Sequence, residues 1–100
     1  MISVESIDNN SFSVSVSVSV SVSVSVSKDS ATEHIVLLND RFHQDVTNNK
    51  LTKTELITHS FEFLLKRESN QSILKKFKLE VISQYFPEYI EEIKKTYSII

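Results

Sequence analysis

The residue types that carry out most enzyme chemistry are sparse and scattered in this chain. It has three histidines, His34, His43 and His59, and it has neither cysteine nor glycine. No two histidines have a metal-ligand spacing such as His-Glu-x-x-His, and a glycine-rich phosphate loop is excluded. Asp40 and His43 have the spacing of a helical dyad, but an ordinary surface pair explains it better. The sequence therefore predicts no enzyme, no catalytic residue, no metal and no cofactor.

The strongest pattern is a Ser-Val alternation from Ser11 to Ser27, with Phe12 at its first apolar position. Successive side chains of a β-strand point to opposite faces, so the serines share one face and the valines share the other. A helix would scatter both sets around its axis, and valine favours strands over helices. The tract is therefore predicted to be a strand with one apolar face and one hydroxyl face.

This predicted strand needs a partner, because an isolated strand leaves its backbone groups and its apolar face exposed. No second run of this kind follows, and everything after Ser27 is predicted to be helical. The expected partner is therefore the same strand of a second copy, in a dimeric, intermolecular two-stranded antiparallel ribbon. We expect Ser21 to Val26 to form the ribbon centre, with the earlier repeats either frayed or extending the ribbon. The exposed serine face would fit a DNA major groove.

Two amphipathic helices are predicted after the tract. The first, Lys28 to Thr47, begins with a Ser30–Glu33 capping box, and its apolar residues recur at spacings of three and four. Those residues are Ala31, Ile35, Leu38, Phe42 and Val46. It ends at 48–50 (Asn-Asn-Lys), because asparagine tolerates the left-handed conformation.

The second predicted helix, Leu51 to Arg67, has its own capping box at Thr52 and Glu55. Its wide apolar face includes Ile57, Phe61 and Leu64. The opening Leu-Thr-Lys-Thr-Glu-Leu-Ile, residues 51–57, resembles the start of the second helix in the ribbon-helix-helix family of DNA-binding proteins, the CopG/Arc/MetJ group. The junction Val-Ser-Val-Ser-Lys-Asp, residues 24–29, is similar to that family's strand-to-helix junction.

The resemblance covers roughly residues 21–67 and implies a mainly α fold with one β-strand in a homodimer. It implies base-facing residues on the strand, which here are Ser21, Ser23 and Ser25. It also implies phosphate contacts at the start of the second helix and the junction, which here are Thr52, Lys53, Thr54 and Lys28. Helix N-termini bind anions through unpaired N–H groups and the helix dipole. The dimer core would contain Val22, Val24, Val26, Ile35, Leu38, Ile57, Phe61 and Leu64.

The segments outside the resemblance are predicted to be a flexible N-terminal arm, residues 1–10, and a C-terminal helical extension, residues 68–100. The ribbon-helix-helix domain would occupy residues 11–67, with its core at about 21–67. In the extension, a third helix from Ile73 to Phe86 would end near Pro87, and a short helix would follow. The C-terminal helices would pack on the core or bind a protein partner.

The predicted function is double-stranded DNA binding by a transcriptional repressor or plasmid-maintenance regulator. An antitoxin or relaxosome accessory protein, binding a partner through its C-terminal helices, is the first alternative. The second is a helical interaction module that acts by strand addition and does not bind DNA. The net charge of −2 favours DNA only if the basic residues cluster. Without an apolar leader or span, the predicted location is cytoplasmic, with no membrane partner.

Overall fold

A four-stranded sheet with helices packed against it forms the fold. The computed structural model describes residues 2–23 and 26–96, and for residues 18–23 and 26–30 it describes the backbone alone. The elements in chain order are β1 (Ile2–Ser6), β2 (Ser11–Ser23), β3 (Val26–Leu37), α1 (Asp40–Thr47), α2 (Lys53–Leu65), a 3₁₀ turn (Asn70–Ser72), β4 (Lys76–Lys78), α3 (Val81–Tyr85) and α4 (Tyr89–Thr96). The strand order is β1-β2-β3-β4, antiparallel except for the parallel β3–β4 pair.

The predicted mainly α ribbon-helix-helix fold with a single strand is wrong, because the described chain forms a four-stranded mixed sheet. The Ser-Val tract finds its partner within its own chain, because β3 pairs with it along almost its whole length. Phe12 lies opposite Val36, and Ser21 lies opposite Ser27. An intermolecular ribbon is therefore not needed to complete the strand.

The first half of the predicted helix over residues 28–47 is β3 instead. The apolar spacing of Ala31, Ile35 and Leu38 fits a helix, but β3 buries the alternating residues His34 and Val36 and leaves Ala31 exposed. The β-branched residues of this segment also favour a strand. The predicted Ser30–Glu33 capping box is absent, since both residues lie in β3.

The helical remainder of that segment, α1, begins after Asn39, whose side-chain oxygen accepts a hydrogen bond from the Phe42 N–H at 2.7 Å. It ends at Thr47, where Asn48 and Asn49 take φ angles of 52° and 61°. The predicted use of asparagine in the left-handed conformation is confirmed.

The predicted capping box at the start of α2 is also confirmed. The Thr52 hydroxyl accepts from the Glu55 N–H at 3.1 Å, and the Glu55 carboxylate accepts from the Thr52 N–H at 3.0 Å. The helix buries the apolar face that its spacing predicts, including Ile57, Phe61 and Leu64.

Both terminal segments contribute to the sheet. The predicted flexible arm contains β1, whose Ile2 pairs with Val16 and whose Ser6 pairs with Phe12. The predicted third helix is instead β4 followed by the short α3, because Phe77 packs inward between two exposed lysines in strand alternation. A terminal helix follows Pro87 as predicted.

The hydrophobic core lies at the base of the β2–β3 hairpin. Phe12, Val14 and Val16 are buried there against the apolar face of α2. The first apolar positions of the tract are therefore core residues, whereas the sequence predicted that the repeats before Ser21 fray or extend a ribbon. One chain completes this core by itself.

Candidate functional site

The far end of the β2–β3 hairpin extends beyond the rest of the sheet. Pairing of β1 to β2 ends at Val16, and pairing of β4 to β3 begins at Ile35. Beyond these points the described part of the sheet has only two strands, paired from Val18–Ser30 to Ser23–Val26. We call residues 18–23 and 26–30 the distal hairpin. It contributes to an elongated molecule of 45 × 28 × 21 Å.

The two strands of the distal hairpin differ in chemistry. Within the distal hairpin, β2 contains only serine and valine, whereas β3 brings Lys28 opposite Val20 and Asp29 opposite Ser19. The pairing shifts register between Ser21 and Ser23. The uncharged strand thus lies on one side of the hairpin and the charged strand on the other.

The residues predicted to face bases are partly located by the structure. Ser21 and Ser23 lie in the distal hairpin, while Ser25 falls outside the described residues. Lys28 lies within β3 and not at a strand-to-helix junction. Of the predicted dimer-core valines, Val22 and Val26 lie in the distal hairpin, and residue 24 is also outside the described residues.

The residues predicted to hold a phosphate are engaged within the chain. The Lys53 ammonium contacts the Asp40 carboxylate and donates a hydrogen bond to the Asn9 carbonyl at 2.8 Å. Lys53 lowers the pKa of Asp40 by hydrogen bonding and by its charge. Thr52 caps α2, and the Thr54 carbonyl accepts from the Thr58 hydroxyl at 2.9 Å. Lys53 thus joins the start of α2 to the β1–β2 turn.

The structure does not bring the two predicted groups of DNA contacts together. Lys53 binds the chain at Asn9 and Asn10, immediately before β2 begins. Ser21 lies near the other end of β2, so roughly 35 Å of extended strand separates it from Asn10 at about 3.3 Å per residue. To use both groups, one DNA groove would have to contact both ends of the hairpin at once.

The other predicted dimer-core residues belong to the core of one chain. Leu38, Ile57, Phe61 and Leu64 are buried there. Ile35 is half-buried on β3, and its N–H donates to the Lys75 carbonyl at 2.7 Å.

A buried polar cluster around His34 was not predicted from the sequence. His34 is 1% exposed, and its Nδ1 lies 2.7 Å from the Leu74 carbonyl oxygen. Its Nε2 lies 2.8 Å from the Thr32 hydroxyl oxygen. That oxygen accepts a hydrogen bond from the Asn70 side-chain amide at 3.2 Å. The alternation of Thr32, His34 and Val36 is the signal that would have placed these side chains on one strand face. Because its partners are satisfied, the cluster is structural.

A second buried polar contact joins α2 to α4. The Ser60 hydroxyl donates to the Leu56 carbonyl at 2.7 Å and lies 2.5 Å from the Tyr89 hydroxyl. Serine has one hydroxyl proton, so Tyr89 is the donor in its contact with Ser60. Burial raises the pKa of Tyr89 above its ordinary value.

An apolar groove of about 260 Å³ opens between the end of α2, β4 and α3. Its floor is buried and apolar: Leu64, Ile73, Phe77 and Ile82. Glu68, Leu74 and Tyr85 also line it and are exposed. We call this feature the α2–α3 groove.

Neither residue clustering nor similarity assigns an activity to these surfaces. Within residues 2–23 and 26–96, no group of three or more His, Asp or Glu side chains is arranged to hold a metal ion. None of the described helices is long and apolar enough to span a membrane. Comparison with protein-family models, curated proteins and solved structures found no match.

Proposed function

We propose that the chain is a non-enzymatic binding protein that associates with a second copy of itself by strand addition along β2 of the distal hairpin. The observation behind this proposal is the pairing pattern: β1 covers β2 only as far as Val16. From Val18 to Ser23 the structure describes β3 as the sole pairing partner of β2. The opposite edge of this strand has backbone N–H and C=O groups that an added strand can bind.

The composition of β2 supports this edge over that of β3. Natural edge strands usually carry charged side chains, proline or short lengths that prevent pairing with another chain. Residues 9–27 contain neither a charged residue nor proline. The β3 strand carries Lys28, Asp29 and Glu33, which oppose the approach of another strand. The β2 edge is therefore the less protected one.

The repeat makes β2 complementary to itself. When two Ser-Val strands pair in antiparallel orientation, valine meets valine and serine meets serine in every even register. A two-fold arrangement of two β2 edges uses the same surface on both copies and closes as a dimer. The partner proposed here is therefore a second copy, and each copy keeps its own core.

Double-stranded DNA is the second candidate partner, because an antiparallel two-stranded ribbon is a shape that the major groove admits. Asp29 lies opposite Ser19 and adds a negative charge near the serine positions. Lys53 is engaged by Asp40 at the other end of the hairpin. These charges make double-stranded DNA a less favoured partner than a second copy of the chain. The repressor, plasmid-maintenance, antitoxin and relaxosome roles stay predictions.

One substitution separates the two candidates. Ser21→Lys places a positive charge on the β2 strand, so two paired β2 edges would bring like charges together. We expect self-association to weaken about tenfold or more. DNA affinity would instead rise, because an added lysine strengthens phosphate binding. Ser27→Lys, opposite Ser21 on β3, is the matched control and should leave self-association nearly unchanged.

Sedimentation across a concentration series measures self-association, and fluorescence anisotropy with labelled duplex DNA measures the second candidate. A wild-type chain that stays monomeric at about 100 μM contradicts strand addition between copies. Equal weakening by Ser21→Lys and Ser27→Lys shows that the β2 edge is not the interface. Salt-sensitive DNA binding that Ser21→Lys strengthens, without self-association, favours the DNA candidate.

A further inference from the structure

We propose that the α2–α3 groove is a docking site for a short amphipathic helix of a partner protein, one that carries neighbouring apolar side chains beside a Lys or Arg. The proposal concerns a surface separate from the distal hairpin. It follows from the depth, exposure and charge of the groove.

The groove has a rigid apolar floor. Leu64 is 5% exposed, Phe77 is 8% exposed and Ile82 is 3% exposed, so these side chains are held by the core. The Phe77 ring packs against Phe61 with ring centroids 6.1 Å apart. An apolar side chain of a partner can fill this space without rearranging the core, which lowers the cost of binding.

The rim exposes large apolar side chains that a folded protein usually covers. Tyr85 is 67% exposed and Leu74 is 49% exposed. Tyrosine is enriched at protein interfaces, where it supplies a large contact area with a polar tip. Both side chains border the same groove, so they extend its apolar floor outward to a partner.

The size of the groove favours a protein segment over a complete small molecule. Its volume of about 260 Å³ lies below the roughly 300–1,000 Å³ typical of drug-sized ligand sites. Such a space suits a few anchoring side chains. The bordering elements α2 and α3 leave an open groove, the form in which an amphipathic helix commonly docks.

Glu68 sets the charge of the partner. Of the residues that the structure describes along the groove, it alone has an acidic or basic side chain. Among the described residues its carboxylate makes no hydrogen bond or ion pair, whereas the neighbouring Arg67 is engaged by Glu88 at 3.5 Å. Lys76 and Lys78 alternate with the inward-facing Phe77 and are exposed on the other side of β4. A Lys or Arg beside the apolar anchors complements Glu68.

Synthetic peptides test the proposal on the full chain. Two peptides of about 14 residues would present Leu and Phe at positions i and i+4, where they share one helix face. One peptide carries Lys beside the anchors, and the other carries Glu there. We expect the Lys peptide to bind about two- to fivefold more tightly, the usual range for an exposed ion pair.

Protein variants then locate the binding. Glu68→Lys should reverse the preference between the two peptides. Glu91→Lys makes the same change in net charge on exposed α4 surface outside the groove and should keep the preference. Tyr85→Ala should weaken both peptides about tenfold, as loss of a central interface aromatic does. Both Glu68 and Tyr85 are exposed, so these variants are expected to fold.

Several outcomes overturn the proposal. One is binding of neither peptide at about 1 mM. Another is an unchanged preference in Glu68→Lys. A third is 2-phenylethylamine binding as tightly as the Lys peptide, which would make the groove a small-molecule site. NMR chemical-shift changes on peptide addition that are confined to the distal hairpin would show that the peptides bind there and not in the groove.

Discussion

Two buried polar contacts join separate elements of the fold. His34 on β3 reaches the Leu74 carbonyl just before β4, and Tyr89 on α4 reaches Ser60 on α2. A buried polar group without a partner costs about 1–3 kcal/mol, and these contacts supply partners for the buried side chains of His34 and Tyr89. They therefore favour one arrangement of the elements over looser apolar packings.

Replacement of His34 should be costly although leucine has a similar size. His34→Leu leaves the Leu74 carbonyl without its ring donor and removes the acceptor of the Thr32 hydroxyl. We expect the free energy of unfolding to fall by about 2–4 kcal/mol in urea denaturation. His59→Leu is the matched control, because its partner Glu62 is exposed, and it should cost less than about 1 kcal/mol. Equal losses would mean that the cluster contributes no more than a surface pair.

Tyr89 should make the fold sensitive to alkali. Burial raises its pKa above the ordinary value of 10.0, so the folded chain holds this proton more tightly than the unfolded chain. The resulting stability is complete below about pH 10 and is lost as the pH rises further. Tyr89→Phe should flatten the fall in melting temperature above pH 10, and Tyr85→Phe should not. Identical alkaline profiles for wild type and Tyr89→Phe would exclude this role.

The β2–β3 hairpin has a proximal part that builds the core and a distal part that we propose for binding. The change occurs after Val16, where β1 ends its pairing. The apolar residues of β2 near the core pair with Val36 and His34 of β3. Those in the distal hairpin pair with Ser30 and Lys28. The Ser-Val alternation is uniform, so the partner strand decides which repeats become core.

One core substitution and one register-preserving deletion should separate these parts. Val14→Asp places an unpaired charge at a fully buried core position, and we expect it to prevent folding. Removing residues 19–20 together with 28–29 deletes two paired steps of the distal hairpin without changing net charge. Its melting temperature should stay near that of wild type, while self-association weakens. Circular dichroism melting and sedimentation check both. A distal deletion as damaging as Val14→Asp would mean that the hairpin is one structural unit.

A single chain buries Phe12, Val14 and Val16 in its own core, so we do not expect its folding to depend on dimerisation. Association through β2 edges would add pairing outside this core. An obligate dimer is therefore no longer expected.

Dilution should accordingly separate the subunits without unfolding them. A protein whose fold requires a partner melts at a temperature that depends on its concentration. We expect the variant with the shortened distal hairpin, which lacks residues 19–20 and 28–29, to melt at the same temperature across a hundredfold dilution. That dilution covers about 3 kcal/mol in association free energy. Calorimetry at each concentration checks this. A melting temperature that falls with dilution would restore dimer-dependent folding.

Local features of this fold could be predicted from the sequence, and pairing could not. The Thr52–Glu55 capping box and the left-handed Asn48 depend on residues within one helical turn. The partner of the Ser-Val tract depends on residues farther along the chain, and the spacing of Ala31, Ile35 and Leu38 fits a helix as well as a strand. Mistaking β3 for a helix led to the predicted dimer. The α2–α3 groove was missed too, because its lining comes from three separate segments.

The uniform repeat also has a consequence for how the hairpin folds. If β2 slides along β3 by two residues, valine still occupies nearly every valine position, while Phe12 moves from opposite Val36 to opposite His34. Phe12 and the β1 pairing therefore discriminate between the native hairpin and its shifted forms. We expect a refolding chain to form such shifted hairpins. Their strands must separate again before the native pairing can form. The number of repeats would then slow the search for the native state more than it strengthens that state.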